Sequence, residues 1–155
     1  MRVTLIAVGQ RMPGWITEGF EQYTRRLRGR LTINLVEIPA VRRGSGDIAR
    51  AMAEEGRRQL AATRPDEHLV ALDERGKSRT SLELSQWLGE RMHSGRDLGF
   101  LVGGADGFAP EVLARANERW SLSSLTLPHA LVRVLFAEQL YRAVTLLDGH
   151  PYHRE

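Results

Sequence analysis

Two histidines and a tyrosine crowd the last six residues of this chain, His150-Pro151-Tyr152-His153-Arg154-Glu155, directly after a long apolar helical pattern. An imidazole takes or gives a proton near neutral pH. A tyrosine stacks or donates, and an arginine fork holds a phosphate or a pair of carbonyl oxygens. Chain ends fray unless something holds them, so this ending suggests a tail folded back into a site. Its readings are a general base, a stacking platform for a nucleobase, or a loose terminus. A metal site built on the His-x-x-His pair is the weakest of these, because the chain has no cysteine and a proline separates the imidazoles.

Three earlier stretches carry further chemistry. Leu72-Asp73-Glu74-Arg75-Gly76-Lys77-Ser78 ends like a P-loop. That turn needs a glycine five positions before Gly76, and Ala71 stands there, so nucleotide triphosphate hydrolysis is rejected. Asp73 or Glu74 facing a ribose or a cation is the functional reading, and a charged turn is the plain one. Leu101-Val102-Gly103-Gly104-Ala105-Asp106-Gly107 approaches a dinucleotide loop, but Val102 occupies the first glycine position. The glycine pair still allows close backbone approach by a ligand. Ser123-Ser124-Leu125-Thr126-Leu127-Pro128-His129 enters the last helix at Pro128. There the helix field disfavours a charged His129, which reads as a base or as a cap. Glu138 and Arg142 stand four apart and are placed to pair on that helix.

The elements that must position these groups alternate. Strands are expected at Val3–Gly9, Leu31–Ile38, Leu69–Asp73, Leu98–Val102 and Ser121–Leu127, from β-branched or apolar runs. Helices are expected at Gly14–Leu27, from Ser45 or Asp47 as a cap to about Ala62, from Thr80 or Ser81 through Met92, at Pro110–Asn117, and from Pro128 to about Asp148. Thr80 as cap would place Glu83 for a capping box. The alternation predicts one α/β domain over residues 1–155, its mostly parallel sheet flanked by helices. Ligands of such sheets lie beyond the carboxyl ends of the strands, where Asp73–Ser78, Gly103–Gly107 and Ser123–His129 would meet.

Composition sets the wider bounds. The chain has 155 residues, 42% hydrophobic and 26% charged, and no apolar run of membrane-spanning length. The expectation is a soluble cytoplasmic protein with no membrane partner and no thiolate metal site. Charge is uneven: residues 1–60 hold eleven arginines against six acids, and only one of the 22 basic residues is lysine. Arginine forks suit phosphates and bases.

Taken in order, Leu72–Lys77, Leu101–Gly107, Leu122–His129, Glu138–Ala143 and His150–Arg154 resemble the small bacterial methyltransferases of the SPOUT superfamily that act on large-subunit ribosomal RNA. The resemblance runs end to end and includes Val8-Gly9, Met12-Pro13 and Glu37-Ile38-Pro39. It implies a SPOUT-type sheet with a C-terminal trefoil knot, a homodimer, and S-adenosyl-L-methionine bound in the knot. The matching cofactor positions are Leu72, Asp73, Gly103, Gly104, Ser123, Ser124, Leu125, Thr126, Leu127 and Pro128. The implied reaction is methylation of N3 of a pseudouridine in 23S ribosomal RNA within the assembled 70S ribosome. His153 or a neutral His129 would remove the N3 proton, Arg142 or Arg154 would hold carbonyl oxygens or a phosphate, and Tyr152 would stack or donate. Arg25, Arg26, Arg28, Arg42 and Arg43 are expected against phosphates. The rival readings are a non-catalytic ribosome-associated RNA-binding factor and a SPOUT methylase of transfer RNA.

Overall fold

The two most apolar runs lie at the centre of the sheet. Val3–Val8 of β1 (Arg2–Val8) and all of β4 (Leu98–Val102) are buried, because helices cover both of their faces. The computed structural model describes residues 1–44 and 46–154. Around β1 and β4 lie β2 (Thr32–Ile38), β3 (His68–Ser78) and β5 (Glu118–Ser121), in the order β2-β1-β4-β3-β5 with every pair parallel. The helices are α1 (Gly14–Arg26), α2 (Ile48–Ala61), α3 (Ser81–Ser94), α4 (Pro110–Arg115) and α5 (His129–Asp148), followed by a 3-10 turn, Pro151–Arg154. Alternate strand residues serve two cores. Leu5, Ala7, Phe100 and Val102 pack with α1, α3 and α5, while Ile6, Val8 and Leu101 pack with α2 and α4.

Local signals set the helix ends. Asp47 accepts from the Arg50 amide at 3.0 Å and caps α2; the alternative cap, Ser45, lies outside the described residues. Thr80 and Glu83 close the expected capping box on α3. Helix α4 stops two residues short of the expected Asn117, because Asn117 is taken by the sheet: it exchanges bonds with Leu69 through its backbone and its side chain, both at 2.8 Å.

The fifth strand departs most from expectation. It occupies Glu118–Ser121, not Ser121–Leu127. Beyond Ser121 the serines bond to nearby backbone: Ser121 Oγ donates to the Ser123 carbonyl at 2.7 Å, and Ser123 Oγ accepts from the Leu125 amide at 2.9 Å. Such local bonds compete with a strand ladder and turn the chain. The expected Asp73–Ser78 loop is likewise only partly a loop. β3 bulges after Leu72 and rejoins β5 at Lys77 and Ser78. Gly76 makes this possible, since any Cβ there would lie within 2.6 Å of the Arg119 and Trp120 backbone.

A single carboxylate ties β5 in place. Glu118 accepts from Trp87 Nε1 (3.1 Å), Trp120 Nε1 (3.2 Å) and Arg79 Nη2 (3.0 Å), and lies 2.6 Å from His68 Nε2. Trp87, Trp120 and Phe100 pack edge to face behind it. Burial works against this carboxylate, but the bonds from His68, Trp120 and Trp87 and the attraction of His68 hold its pKa below the ordinary glutamate value. A carboxyl that is the stronger acid when folded stabilises fully above its unfolded value, and that stabilisation is lost as pH falls through the folded one. Glu118→Gln should therefore lose on the order of 2–3 kcal/mol in urea unfolding at neutral pH. The gap to wild type should close on acidification below the ordinary glutamate range; a gap that persists there would exclude a charge-based role.

Candidate functional site

Three strand exits and the start of α5 enclose a cavity of about 230 Å³. From β3 come Leu72, Asp73 and Glu74; from β4, Val102, Gly103, Gly104, Ala105, Gly107 and Phe108; from the β5 exit, Ser121–Ser123 and Leu125–Leu127; from α5, His129 and Val132. The volume falls below the ~300–1,000 Å³ of drug-sized sites, so it suits a mononucleoside-sized group better than a dinucleotide. Of the expected cofactor positions, Leu72, Asp73, Gly103, Gly104, Ser123, Leu125, Thr126 and Leu127 line it; Ser124 and Pro128 do not.

Backbone sterics make the cradle. A Cβ on Gly103 would lie 2.9 Å from the Gly107 backbone, and one on Gly104 would lie 3.0 Å from Val8. Gly107 turns the loop at φ +85°. Gly104 and Gly107 bridge to each other, so the loop is a tight closed turn.

Arg133 is fully buried beneath the cavity end of α5 and was not singled out from sequence. It donates to Glu37 at 2.6 Å and to the Gly9 carbonyl at 2.8 Å. A methyl on Gly9 would come within 3.9 Å of His129 Nε2, so the β1 exit lies against His129. The signal was present: Arg133 shares the helical phase of Phe136, Ala137 and Leu140.

The C-terminal residues form a separate cluster. Tyr152 donates to Glu138 Oε1 at 3.0 Å, and its ring meets Tyr141 at 4.6 Å edge to face. The Arg142 guanidinium lies 5.2 Å from the Tyr152 ring and donates Nε and Nη2 to the same Glu138 oxygen. Thus the expected Glu138–Arg142 pair is present, with the tail folded onto it. His153 Nδ1 is buried with no hydrogen-bond partner among the described residues, and Arg154 is exposed. Arg25, Arg26 and Arg28 are exposed at the same end of the molecule, with Arg26 5.5 Å from the Tyr141 ring.

This cluster and the cavity are apart in one chain. At about 1.5 Å per residue, the 20 residues of α5 span about 30 Å. His129 opens the helix at the carboxyl edge of the sheet, while the tail folds back as far as Glu138, about 14 Å along the axis from His129. Neither Arg142 nor any tail residue lines the cavity. Of the five residues expected to do chemistry, His129 is at the cavity and Arg142, Tyr152, His153 and Arg154 are together elsewhere.

Comparison with known proteins agrees with this architecture. The model of the family described as "Predicted SPOUT methyltransferase" matches residues 1–153, and the chain belongs to the SPOUT methyltransferase family. Ribosomal RNA large subunit methyltransferase H of Alkalilimnicola ehrlichii is 59% identical to it, over 99% of both chains. The protein of the same name from Thioalkalivibrio sulfidiphilus is 54% identical over the full length of both. Among solved structures, a putative methylase family protein from Neisseria gonorrhoeae has a TM-score of 0.52 at 13% identity, over 90% of this chain and 81% of that one. TrmJ from Z. mobilis also has a TM-score of 0.52, at 18% identity, over 92% of this chain and 70% of that one. At such identity these two likenesses speak to the fold alone.

Burial, then the neighbouring Tyr23 and Glu138, push the Tyr152 phenol well above the ordinary tyrosine pKa. Stabilisation from a raised phenol is present below the unfolded value and is lost as pH rises through the folded one. Ultraviolet titration should show a component ionising above the ordinary tyrosine range. Tyr152→Phe should abolish it and cost about 1 kcal/mol. Normal titration of all three tyrosines would mean the tail is not docked in solution.

Proposed function

We propose that this chain methylates N3 of a pseudouridine in 23S ribosomal RNA on the assembled 70S ribosome, in the cytoplasm, as a homodimer using S-adenosyl-L-methionine. The observation that carries the reading is the glycine-cradled cavity at the carboxyl ends of β3, β4 and β5, in a chain similar over its full length to proteins named for large-subunit ribosomal RNA methylation. A trefoil knot belongs to the same reading.

The cavity fits the cofactor's chemistry. Leu72, Leu122, Leu127 and Val132 offer an apolar bed, Asp73 and Glu74 offer acceptors for hydroxyls or for a positive centre, and the Gly103–Gly107 backbone admits close approach. When bound, S-adenosylmethionine supplies an electrophilic methyl group. The chain's own work is then to place the nucleobase in line and to remove its N3 proton.

Those duties divide between subunits. The separation of the cavity from the tail in one chain supports a composite site, with one protomer supplying the cavity and its partner the tail. His153, or His129 at the cavity mouth, takes the proton. Arg154 holds uracil oxygens or a phosphate, and Arg142 joins it with the donors it does not spend on Glu138. Tyr152 stacks, since its hydroxyl is engaged by Glu138. Arg25, Arg26 and Arg28 grip phosphates around the target, and Arg42 does so from the opposite edge of the sheet.

Wild type should bind S-adenosylmethionine saturably in calorimetry. Gly103→Val should bind at least tenfold more weakly, and should also melt lower than wild type because its Cβ crowds the Gly107 backbone. His153→Ala should keep cofactor affinity and lose on the order of 10²-fold in ribosome methylation. A hybrid of one Gly103→Val subunit and one His153→Ala subunit should recover activity, because one of its two composite sites is intact. An inactive hybrid of folded subunits would place the whole site in one chain. No cofactor binding by folded wild type, with or without ribosomes, would favour a non-catalytic RNA-binding factor.

A further inference from the structure

The basic β2–α2 loop was expected to offer both Arg42 and Arg43 to phosphates, but the structure uses them differently. Arg42 is exposed, whereas Arg43 is held on both sides. Its Nη1 and Nη2 donate to the buried Glu55 carboxylate at 2.6 and 3.0 Å, and its Nε donates to Asp106 at 3.0 Å. Glu55 also accepts from the Val41 amide at 2.9 Å, which ties the loop backbone to α2. The same carboxylate lies under the cavity loop, since a methyl on Gly104 would be 3.5 Å from Glu55 Oε1. The glycine loop is thus supported from beneath by Glu55 and gripped near its tip through Asp106. The two acidic partners raise the Arg43 pKa, led by the Glu55 bond, so the guanidinium stays charged in this position.

We propose that Arg43 and Asp106 form a positioning latch joining the Arg42-bearing loop to the glycine loop of the cavity, so that cofactor and RNA phosphate bind with linked affinities. This rests on the reading of the cavity as the cofactor site. Ordering the glycine loop around the cofactor orders Arg42 through the latch, and a phosphate on Arg42 orders the glycine loop in return. Such coupling is reciprocal by thermodynamic necessity. The Arg43–Asp106 pair is partly exposed, so its effect is a few-fold rather than all-or-none.

Asp106→Asn is the clean variant, because Arg43 still satisfies the buried Glu55. Arg43→Lys keeps a cation for Glu55 but loses the fork that spans both acids. Each should weaken S-adenosylmethionine binding about threefold to fivefold in calorimetry, with an unchanged melting temperature for Asp106→Asn. The double variant should bind no more weakly than the weaker single, since both cut one link. Hydrogen exchange at Val41 and Arg42 should slow on cofactor binding in wild type and not in Asp106→Asn. Unchanged affinity in both single variants, or losses that multiply in the double, would overturn the latch. If wild type binds no cofactor, the reading of the cavity falls instead. The latch is then judged in the free protein, where exchange at Gly103–Gly107 must be faster in both variants than in wild type, and equal rates overturn it.

Discussion

Glu118 is where the architecture is decided. Strand β5 is four residues long and pairs with one neighbour, too little ladder to hold an edge strand by itself. The Glu118 carboxylate draws donors from β3, α3, the turn between them and β5 itself onto one point. A half-buried carboxylate with so many donors is costly to leave and hard to move. Because β5 is pinned at its start, the exit at Ser121 falls beside Leu72 and Gly103, and a cavity can form between three strand ends. Without that anchor the Ser121–Leu127 turn would have no fixed wall to present.

Much of this organisation was legible in the sequence where a local rule governs. Val3–Val8 and Leu98–Val102 read as buried strands because apolar runs of that length have few other uses. Thr80 and Glu83 declared their capping box by spacing alone. The cavity loops were legible because strand exits in parallel sheets converge on one edge. Where a local rule and a long-range bond compete, the reading failed. Ser121–Leu127 reads as a strand, yet serine side chains turn it away from the sheet. Asn117 looked like the end of a helix, but its partner, Leu69, lies 48 residues earlier. Arg43 looked like a free cation beside Arg42, and only the fold brings Glu55 and Asp106 to it.

The candidate site divides along the same line. Cofactor positions cluster in short segments, so spacing and resemblance locate most of them. The tail was recognisable as chemistry but not as a place, because its position depends on the length and direction of α5. A straight helix of 20 residues keeps its ends apart whatever lies on its faces. Arg133 was overlooked for a related reason. A charge in an apolar phase reads as an exception until Glu37 and Gly9, more than 90 residues away, supply the partners.

The strand order β2-β1-β4-β3-β5 also governs how the chain matures. β1 and β3 are both made before β4, yet each pairs not with the other but with β4, which lies between them. From the completion of β3 until β4 is made, the growing polypeptide therefore carries two apolar strands whose inner edges have no neighbour. Unpaired edges of this kind invite association with other chains, and contacts so distant in sequence close slowly. The two inner edges are satisfied together in one late event, when the segment Leu98–Val102 emerges, and β5 is then added outside β3. In a nascent chain, synonymous changes that alter the pace of translation just before that segment act on folding yield without touching a single contact of the finished protein.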